Sequence, residues 1–169
     1  YVADRFYLAM STDGTINVAR STDVPTISQA GYKINYSCQL GIGTADTSMA
    51  ASQIAHFSTK IEGYDFKNIV GKTVTISFWV YSNLTGIYSL SVRNTGDDRA
   101  YITEYTINSA NTWEKKTITF TMHDTSSGTW NFTNGIGLKV SWVLASGSTY
   151  YGSLNTWLSG NYISSSNQV

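Results

Sequence analysis

The densest alternation of hydrophobic and polar positions lies between Gly71 and Ile107. Three runs in this stretch read KTVTISFWVY, IYSLSVRN and YITEYTI, and the turns NLTG and TGDD separate them. Alternation with a period of two, broken by Gly, Asn and Asp, is typical of antiparallel strands that bury one face. The pattern therefore predicts an all-β module, whose expected role is to bind a ligand rather than to convert it.

Similar runs continue over the rest of the chain, and helix signals are nearly absent. The segment from Thr47 to Phe57 could form a capped helix, but the alternation from Ser52 to Ile61 favours a strand. The other predicted strands are Asp4–Met10, Ile16–Ser21, Tyr32–Gln39, Thr73–Tyr81, Ile87–Asn94, Tyr101–Ile107, Trp113–Met122 and Gly137–Ala145. About nine short strands at regular spacing predict an antiparallel β-sandwich of jelly-roll type.

The length of 169 residues predicts a single domain that can bury a core without disulfides. Residues 145–169, called the C-terminal segment below, are rich in Ser, Gly, Asn and Tyr. We expect this segment to be a long loop that wraps the sandwich, with Trp157 and Tyr162 as anchors. Because the chain opens on a strand signal and closes on SSSNQV, we also expect a terminal strand to be missing or supplied by a neighbouring chain.

Composition narrows the classes of partner. Eleven basic residues balance eleven acidic ones, and the longest basic run is Lys115-Lys116, which argues against a nucleic-acid partner. No run approaches the roughly 18 apolar residues of a membrane span. Only 13% of the residues are charged, so the surface must consist largely of Ser, Thr, Asn and Gly, as in many proteins that meet sugars or act outside cells. Cys38 stands alone and is expected to be a small buried hydrophobe.

Residues suited to catalysis or metal binding are sparse, so we do not expect an enzyme. His56 and His123 are the only histidines, no nucleophile-elbow motif is present, and both are expected to be structural. Glu104 is the one glutamate that we place in a cleft, and sequence spacing does not decide whether a second carboxylate faces it, as glycoside hydrolysis requires. The Asp97-Asp98 turn offers the best oxygen ligands for a structural calcium ion, although a solvated turn is the favoured interpretation.

Aromatic residues on the strand faces indicate a carbohydrate site. Val74, Ile76 and Phe78 form a core stripe, whereas Trp79 and Tyr81 lie among hydroxyls on the opposite face of their strand. If the next strand lay beside this one, its Arg93 would join the rings and hydroxyls, which together can stack on and hydrogen-bond to a sugar. The alternative is that a second layer or the C-terminal segment covers this face and makes Trp79 part of the core. The candidate carbohydrate-binding residues are Trp79, Tyr81, Arg93 and Glu104, with Trp130 and Tyr151 in loops.

Three stretches of the sequence resemble domains of tail-fibre and virion structural proteins of tailed phages. They are YVADRFYLAMSTDGTINVARSTDVP, ADTSMAASQIAHFSTKIEGYDFKNIVGKTVTISFWVYSNLTGIYSLSVRN and EYTINSANTWEKKTITF. The most specific parts are Ile61-Glu62-Gly63, the strand from Gly71 to Val80, and NTWEKK at 111–116. The resemblance covers most of the chain from Tyr1 to about Tyr151.

The resemblance implies a jelly roll related to carbohydrate-binding modules, carried on a virion appendage that touches glycans on the bacterial host. On a fibre such a module is usually trimeric, so other virion chains and host surface polysaccharide are the expected partners. The family's modules begin with an Asn-Gly-containing strand and end with a strand of Leu-Glu-x-Gly type, and this sequence shows neither. The resemblance supplies no sugar-contact motif, so the candidate residues come from the strand faces alone.

Overall fold

Alternating apolar residues build ten antiparallel strands in the computed structural model, which describes residues 5–169. The strands are β1 Phe6–Met10, β2 Thr15–Ser21, β3 Ser37–Thr44, β4 Ile54–Glu62, β5 Thr73–Val80, β6 Gly86–Asn94, β7 Arg99–Ile107, β8 Glu114–Thr121, β9 Ile136–Ser146 and β10 Trp157–Ser159. Two short helices, α1 Ile27–Ala30 and α2 Gly63–Phe66, and a 3-10 turn at Ser148–Tyr150 complete the secondary structure. Strand content of 48% against 7% helix confirms the prediction of an all-β protein.

The sandwich consists of one large sheet and one small sheet. The large sheet has the order β1-β4-β9-β6-β7-β10, and β5 pairs with β8 to form the small sheet across one of its faces. The core between them contains Leu90 and Val92 of β6, Leu138 of β9, and Ile118 and Phe120 of β8. Each such apolar side chain contributes about 1.5–3 kcal/mol when fully buried. The arrangement is an antiparallel sandwich consistent with a jelly-roll-like fold, as the sequence predicts.

A separate hairpin of β2 and β3 forms the third sheet. α1 lies between its strands and begins at Thr26, whose hydroxyl accepts from the Gln29 backbone while the Gln29 side chain reaches back, a capping box. Gly31 ends the helix in the left-handed conformation, at φ 80°. The predicted strand Tyr32–Gln39 is therefore displaced toward the C-terminus, because pairing with β2 begins only at Ser37.

Three further expectations concern this first part of the chain. β1 begins at Phe6, and the Asp4 end of its predicted range lies outside the described residues. Cys38 is exposed on β3, so the expectation of a buried cysteine is wrong. The reason is that β2 and β3 form a thin hairpin, and Cys38 is not enclosed on either face. The strand predicted from Ser52 to Ile61 is confirmed as β4, in preference to a helix.

The C-terminal segment crosses the face of the large sheet that points away from the small sheet. The Ser165 amide donates to the Ser89 hydroxyl at 3.1 Å, and Asn167 donates to Glu104 at 3.0 Å. At the sheet's edge, the Trp157 indole donates to the Thr121 carbonyl at 3.0 Å and packs on Tyr101. The segment thus wraps the sandwich as expected, although the 3-10 turn and β10 give it more regular structure than a loop.

Two strands predicted to lie side by side are separated in the structure. β5 pairs with β8 in the small sheet, whereas β6 lies in the large sheet between β9 and β7. The joint face proposed for Trp79 and Arg93 therefore does not exist, since each residue belongs to a different sheet. In the part of the chain from residue 5 onward, neither helix is long or apolar enough to cross a membrane.

Candidate functional site

The outer face of the small sheet is a flat array of hydroxyl groups. Val74, Ile76 and Phe78 of β5 pack inward, so the residues between them point outward. These outward residues pair across to threonines of β8, and all of them are exposed: Thr73 with Thr121, Thr75 with Thr119, and Ser77 with Thr117. The Thr75 and Thr119 hydroxyls lie 2.8 Å apart. This face therefore presents paired polar groups to solvent over the length of both strands.

Three aromatic rings and a lysine stand at one end of this array. Trp79 follows Ser77 on the outward side of β5 and is paired with Lys115. Tyr81, which is 39% exposed, lies beside Trp113 with the ring centroids 5.5 Å apart and the planes tilted by 49°. Trp79 and Trp113 are half-buried, so each keeps part of its surface accessible. We call Trp79, Tyr81, Trp113 and Lys115 the aromatic platform.

Hydrogen bonds of Trp113 and of the next residue, Glu114, hold the Trp113 ring in the platform. Its indole nitrogen donates to the Asp23 carboxylate at 2.9 Å, which ties the ring to the end of the β2–β3 hairpin. The next residue, Glu114, accepts from the backbone amides of Asn108 and Ser109, each at 2.9 Å, and from Lys116 at 2.6 Å. The hydrogen bond from Lys116, followed by those from the turn, lowers the pKa of Glu114 to about 2. A carboxylate that stays ionised thus closes the turn leading into β8.

The structure keeps two of the six predicted site residues together and separates the others. Trp79 and Tyr81 share the platform, as described above. Arg93 is only 5% exposed on the far face of the large sheet, where Asp97 and Asn161 accept from it at 3.0 and 2.7 Å. Glu104 lies on that same face, bound by Asn167 of the C-terminal segment. In this conformation the C-terminal segment covers the face that was expected to bind a sugar through Arg93.

The two predicted loop aromatics lie apart from the platform as well. Trp130 stacks on buried Phe66 with a centroid distance of 5.1 Å, and its indole donates to the Ser127 carbonyl at 2.7 Å. These contacts make Trp130 a cover over one end of the core. Tyr151 is 37% exposed and donates to the Ser146 carbonyl at 3.2 Å. The prediction that either ring contacts sugar stays a prediction.

Both histidines are held by structural contacts. The His56 ring lies 2.5 Å from the Ser58 hydroxyl, which donates to the Ser141 hydroxyl at 2.7 Å, and all three residues are buried. Burial, reinforced by the charge of Arg93, lowers the pKa of His56 to about 4. His123 accepts from the Thr125 amide at 2.8 Å and packs against Trp130. Both histidines thus have contacts within the fold.

The two carboxylates of the Asp97-Asp98 turn accept hydrogen bonds from donors within the protein itself. Asp97 accepts from Arg93 and Lys139, and Asp98 accepts from Asn94 and from the amide and hydroxyl of Thr129. The hydrogen bond from Asn94 is the main cause of the lowered pKa of Asp98. Among residues 5–169, no three His, Cys, Asp or Glu side chains come together in a group that could hold a metal ion. The donors already bound at this turn explain its geometry without calcium.

Of the two platform members that the sequence did not place in the site, Lys115 and Trp113, the aromatic one is Trp113. It stands just before β8, and only the register of β5 with β8 shows that it continues the pairing beyond Val80 and Glu114 to meet Tyr81. A signal was present in the sequence, since Trp79 within β5 and Trp113 just before β8 each stand in an alternating row of mostly hydroxyl residues. Comparisons with protein-family models, with curated proteins and with solved structures find nothing that matches this chain.

Proposed function

We propose that this chain is a non-enzymatic module of a phage virion appendage that binds polysaccharide on the surface of a bacterial host. The observation that carries the proposal is the aromatic platform beside a hydroxyl-lined outer face. Rings of this kind offer apolar surface to the C–H faces of a sugar, while Lys115 and the threonines offer hydrogen bonds to its hydroxyls. The resemblance to tail-fibre modules supports the virion location and the bacterial glycan as partner.

The flatness of the face favours an extended chain over a single sugar. The exposed hydroxyls run along β5 and β8 for three residue pairs beyond the platform. Residues on one face of a strand repeat at about 6.6–6.8 Å, twice the rise per residue. A polysaccharide lying along the strands could therefore stack on the platform and make polar contacts in several successive places.

Binding to one module should be weak. A few stacked rings and exchangeable hydrogen bonds must offset the lost mobility and hydration of the sugar chain, and only the surplus appears as affinity. Several copies on one particle would raise the avidity without any new contact. This requirement agrees with the trimer that the resemblance implies.

The deciding experiment is an affinity-gel screen of the purified protein against bacterial surface polysaccharides, with Trp79→Ala as the test variant. Tyr64→Ala is the matched control, because Tyr64 is an exposed ring at 59% that lies outside the platform, in α2. The proposal expects specific retention that Trp79→Ala abolishes and Tyr64→Ala preserves. Retention of both variants, with circular dichroism showing both folded, would reject the platform as the site.

A second candidate function, a structural fibre-scaffold or capsid-decorating domain, rests on the edges of the small sheet. In the described part of the chain, β5 and β8 pair only with each other, so each has one edge without a partner strand. Such edges are suited to strand addition by a neighbouring chain. Light scattering that shows a stable trimer, together with no retention on any glycan, would favour this function.

A further inference from the structure

The β2–β3 hairpin presents an apolar face that no other part of residues 5–169 buries. Ile16 is opposite Ile42 and Val18 is opposite Leu40, so the four side chains lie on one face. No residue of either strand is buried, and Ile42 is 63% exposed. An isolated two-stranded hairpin is marginally stable in water, so we expect this face to pack on another surface. We call residues 15–44 the hairpin arm.

The large sheet extends beyond the small sheet by two strands. Phe78 of β5 packs on Trp142 of β9 with the ring centroids 5.5 Å apart, and Phe120 of β8 packs on Tyr101 of β7 at 4.8 Å. The small sheet therefore lies over the strands from β9 to β7, and within the described residues β4 and β1 have no strand of it above them. Adjacent strands lie about 4.7–4.9 Å apart, so the uncovered strip is about 10 Å wide. We call the inner face of β1 and β4 the shelf.

Apolar side chains cover the shelf. The Phe57 ring lies 6.3 Å from that of Trp142, and Phe6 stacks on Phe57 at 5.1 Å. Leu8 is directly opposite Phe57 and shares its face. All four side chains are half-buried, whereas Leu90, which is opposite Trp142 under the small sheet, is 0% exposed. The shelf is thus a continuation of the core surface that lacks its second layer.

An open cleft of about 400 Å³ lies where the shelf meets β5. Its lining includes Ile61 of β4, Val140 of β9, and Val74 and Ile76 of β5. It also includes Thr75, whose side chain is on the outer face of β5, so the cleft reaches the edge of that strand. The space between the two sheets is therefore accessible from the side of the shelf.

The edge of β5 beside this cleft carries backbone groups that β8 does not use. The Lys72 carbonyl accepts from the Met122 amide at 2.9 Å, and this pair continues the register of β5 with β8. Hydrogen-bonded and non-bonded pairs alternate in an antiparallel ladder, so Thr73, Thr75 and Ser77 direct their amides and carbonyls to the other edge. β5 has no charged residue, proline or bulge, which are the features that keep a further strand away from an edge.

We propose that the hairpin arm of a second copy of this chain docks on the shelf. The arm supplies the two strands that the small sheet lacks there, its apolar face packs on Phe6 and Phe57, and one of its strands hydrogen-bonds to the edge of β5. In its own chain the arm lies elsewhere, because the Trp113 indole donates to Asp23 at 2.9 Å and holds the arm beside the aromatic platform. The inference rests on the second candidate function, for which it names the partner, and it does not depend on glycan binding.

The size of the contact favours an assembly in which each copy both gives and receives an arm. Strands of seven and eight residues form a face of about 10 Å by about 25 Å. One such contact is smaller than the roughly 800 Å² per partner of a standard stable interface. A closed assembly makes the contact twice for each copy, so the two together approach that size.

Cys38 provides a direct test, because it is exposed on the apolar face of the arm. Thr59→Cys places a second thiol on the shelf, opposite Phe6, and Thr119→Cys places one on the outer face of the small sheet as the control. A short bis-maleimide crosslinker, applied to the full chain, should give covalent dimers or larger oligomers with Thr59→Cys and none with Thr119→Cys or the wild type. A crosslink within single chains of Thr59→Cys, or equal products from both variants, would overturn the proposal.

Light scattering over a range of concentrations tests the same contact without a crosslinker. Ile42→Lys places a charge on the apolar face of the arm and should weaken self-association about tenfold or more. Leu84→Lys is the matched control, because Leu84 is 62% exposed in the turn after β5, and it should associate as the wild type does. A stable trimer that Ile42→Lys leaves intact would keep the fibre-scaffold function but reject the docking of the arm. A wild type that is monomeric at every concentration would reject both.

Discussion

Tyr81 and Trp113 lie side by side where β5 ends and β8 begins, with their ring centroids 5.5 Å apart. The pair extends the register of the small sheet by one position beyond Val80 and Glu114. Because Trp113 also donates to Asp23, the orientation of this ring depends on the β2–β3 hairpin as well as on its own sheet. The platform is therefore held by two parts of the fold that are distant in sequence.

Separate substitutions at Trp113 should distinguish its ring surface from its hydrogen bond. Trp113→Ala removes both and should weaken glycan retention about tenfold or more, as expected for a tryptophan at the centre of a contact. Trp113→Phe keeps an aromatic face but cannot donate to Asp23, so it should retain most of the binding. Affinity electrophoresis in gels containing the bound polysaccharide measures both. If Trp113→Ala migrates as the wild type does, the ring is outside the contact.

Gly63 should not tolerate even a methyl group. A Cβ at this buried position would lie 2.5 Å from the Asn131 carbonyl oxygen and 2.6 Å from the Thr133 amide nitrogen, both of them backbone atoms. We expect Gly63→Ala to lower the free energy of unfolding by about 1–3 kcal/mol, because the loop at 131–133 must move away. Gly41→Ala is the control, since its Cβ would meet one atom at 4.0 Å. Urea unfolding followed by tryptophan fluorescence measures both, and equal stabilities would contradict the contact.

The prediction of the strands succeeded where each strand has one face in the core. β5 is an example, because Val74, Ile76 and Phe78 alternate with hydroxyls and the pattern alone gives its bounds within one residue. β3 was misplaced by five residues at each end, because neither face of the β2–β3 hairpin is deeply buried and its sequence SCQLGIGT has only Leu40 and Ile42 as large apolar residues. A strand of this kind leaves little hydrophobic pattern to follow.

The pairing of the strands decided how much of the candidate site could be predicted. Trp79 and Tyr81 share a strand, so their common face follows from alternation. Arg93 was assigned to the same face on the assumption that consecutive strands are neighbours, whereas the chain crosses from the small sheet to the large one between Val80 and Gly86. Such a crossing depends on contacts far apart in sequence, which alternation does not encode.

Gln168 fills a gap in the pairing of the large sheet. β9 pairs with β6 only from Leu90 to Asn94. Just before Leu90 in the chain, the Ser89 amide donates to the Gln168 side chain at 3.1 Å, and Gln168 in turn donates to the Val143 carbonyl at 3.2 Å. Gln168→Ala should therefore leave the Ser89 amide without its acceptor and loosen the C-terminal segment. We expect the free energy of unfolding to fall by about 1–3 kcal/mol. Hydrogen exchange of Ser89 should quicken while that of Ser91 is unchanged.

The control for this change is Gln39→Ala, because Gln39 is exposed on the β2–β3 hairpin. It should leave the exchange of both serine amides as in the wild type. A Gln168→Ala protein with wild-type exchange at Ser89 would mean that the amide is protected by another acceptor.

His56 should make the protein less stable as the pH falls toward 4. Burial, with the charge of Arg93, lowers its pKa from 6.5 to about 4, so the unfolded chain takes up a proton at a higher pH than the folded one. The free energy of unfolding should fall from about pH 6.5 down to about pH 4, by about 3 kcal/mol in total, and should change little from this source below pH 4.

Urea titrations between pH 6.5 and 4.5 isolate this effect, because the carboxylates with lowered pKa values, such as Asp98 and Glu114, lose their stabilisation mainly at lower pH. His56→Gln should remove most of the pH dependence of the free energy of unfolding in that window. The small dependence that remains comes from His123, whose pKa is also lowered by burial. The histidine and the glutamine at position 56 can both hydrogen-bond to Ser58. A loss of contact alone would therefore shift the plot of unfolding free energy against pH without changing its slope. An unchanged slope in His56→Gln would show that His56 is protonated equally in the folded and unfolded states, contrary to its burial.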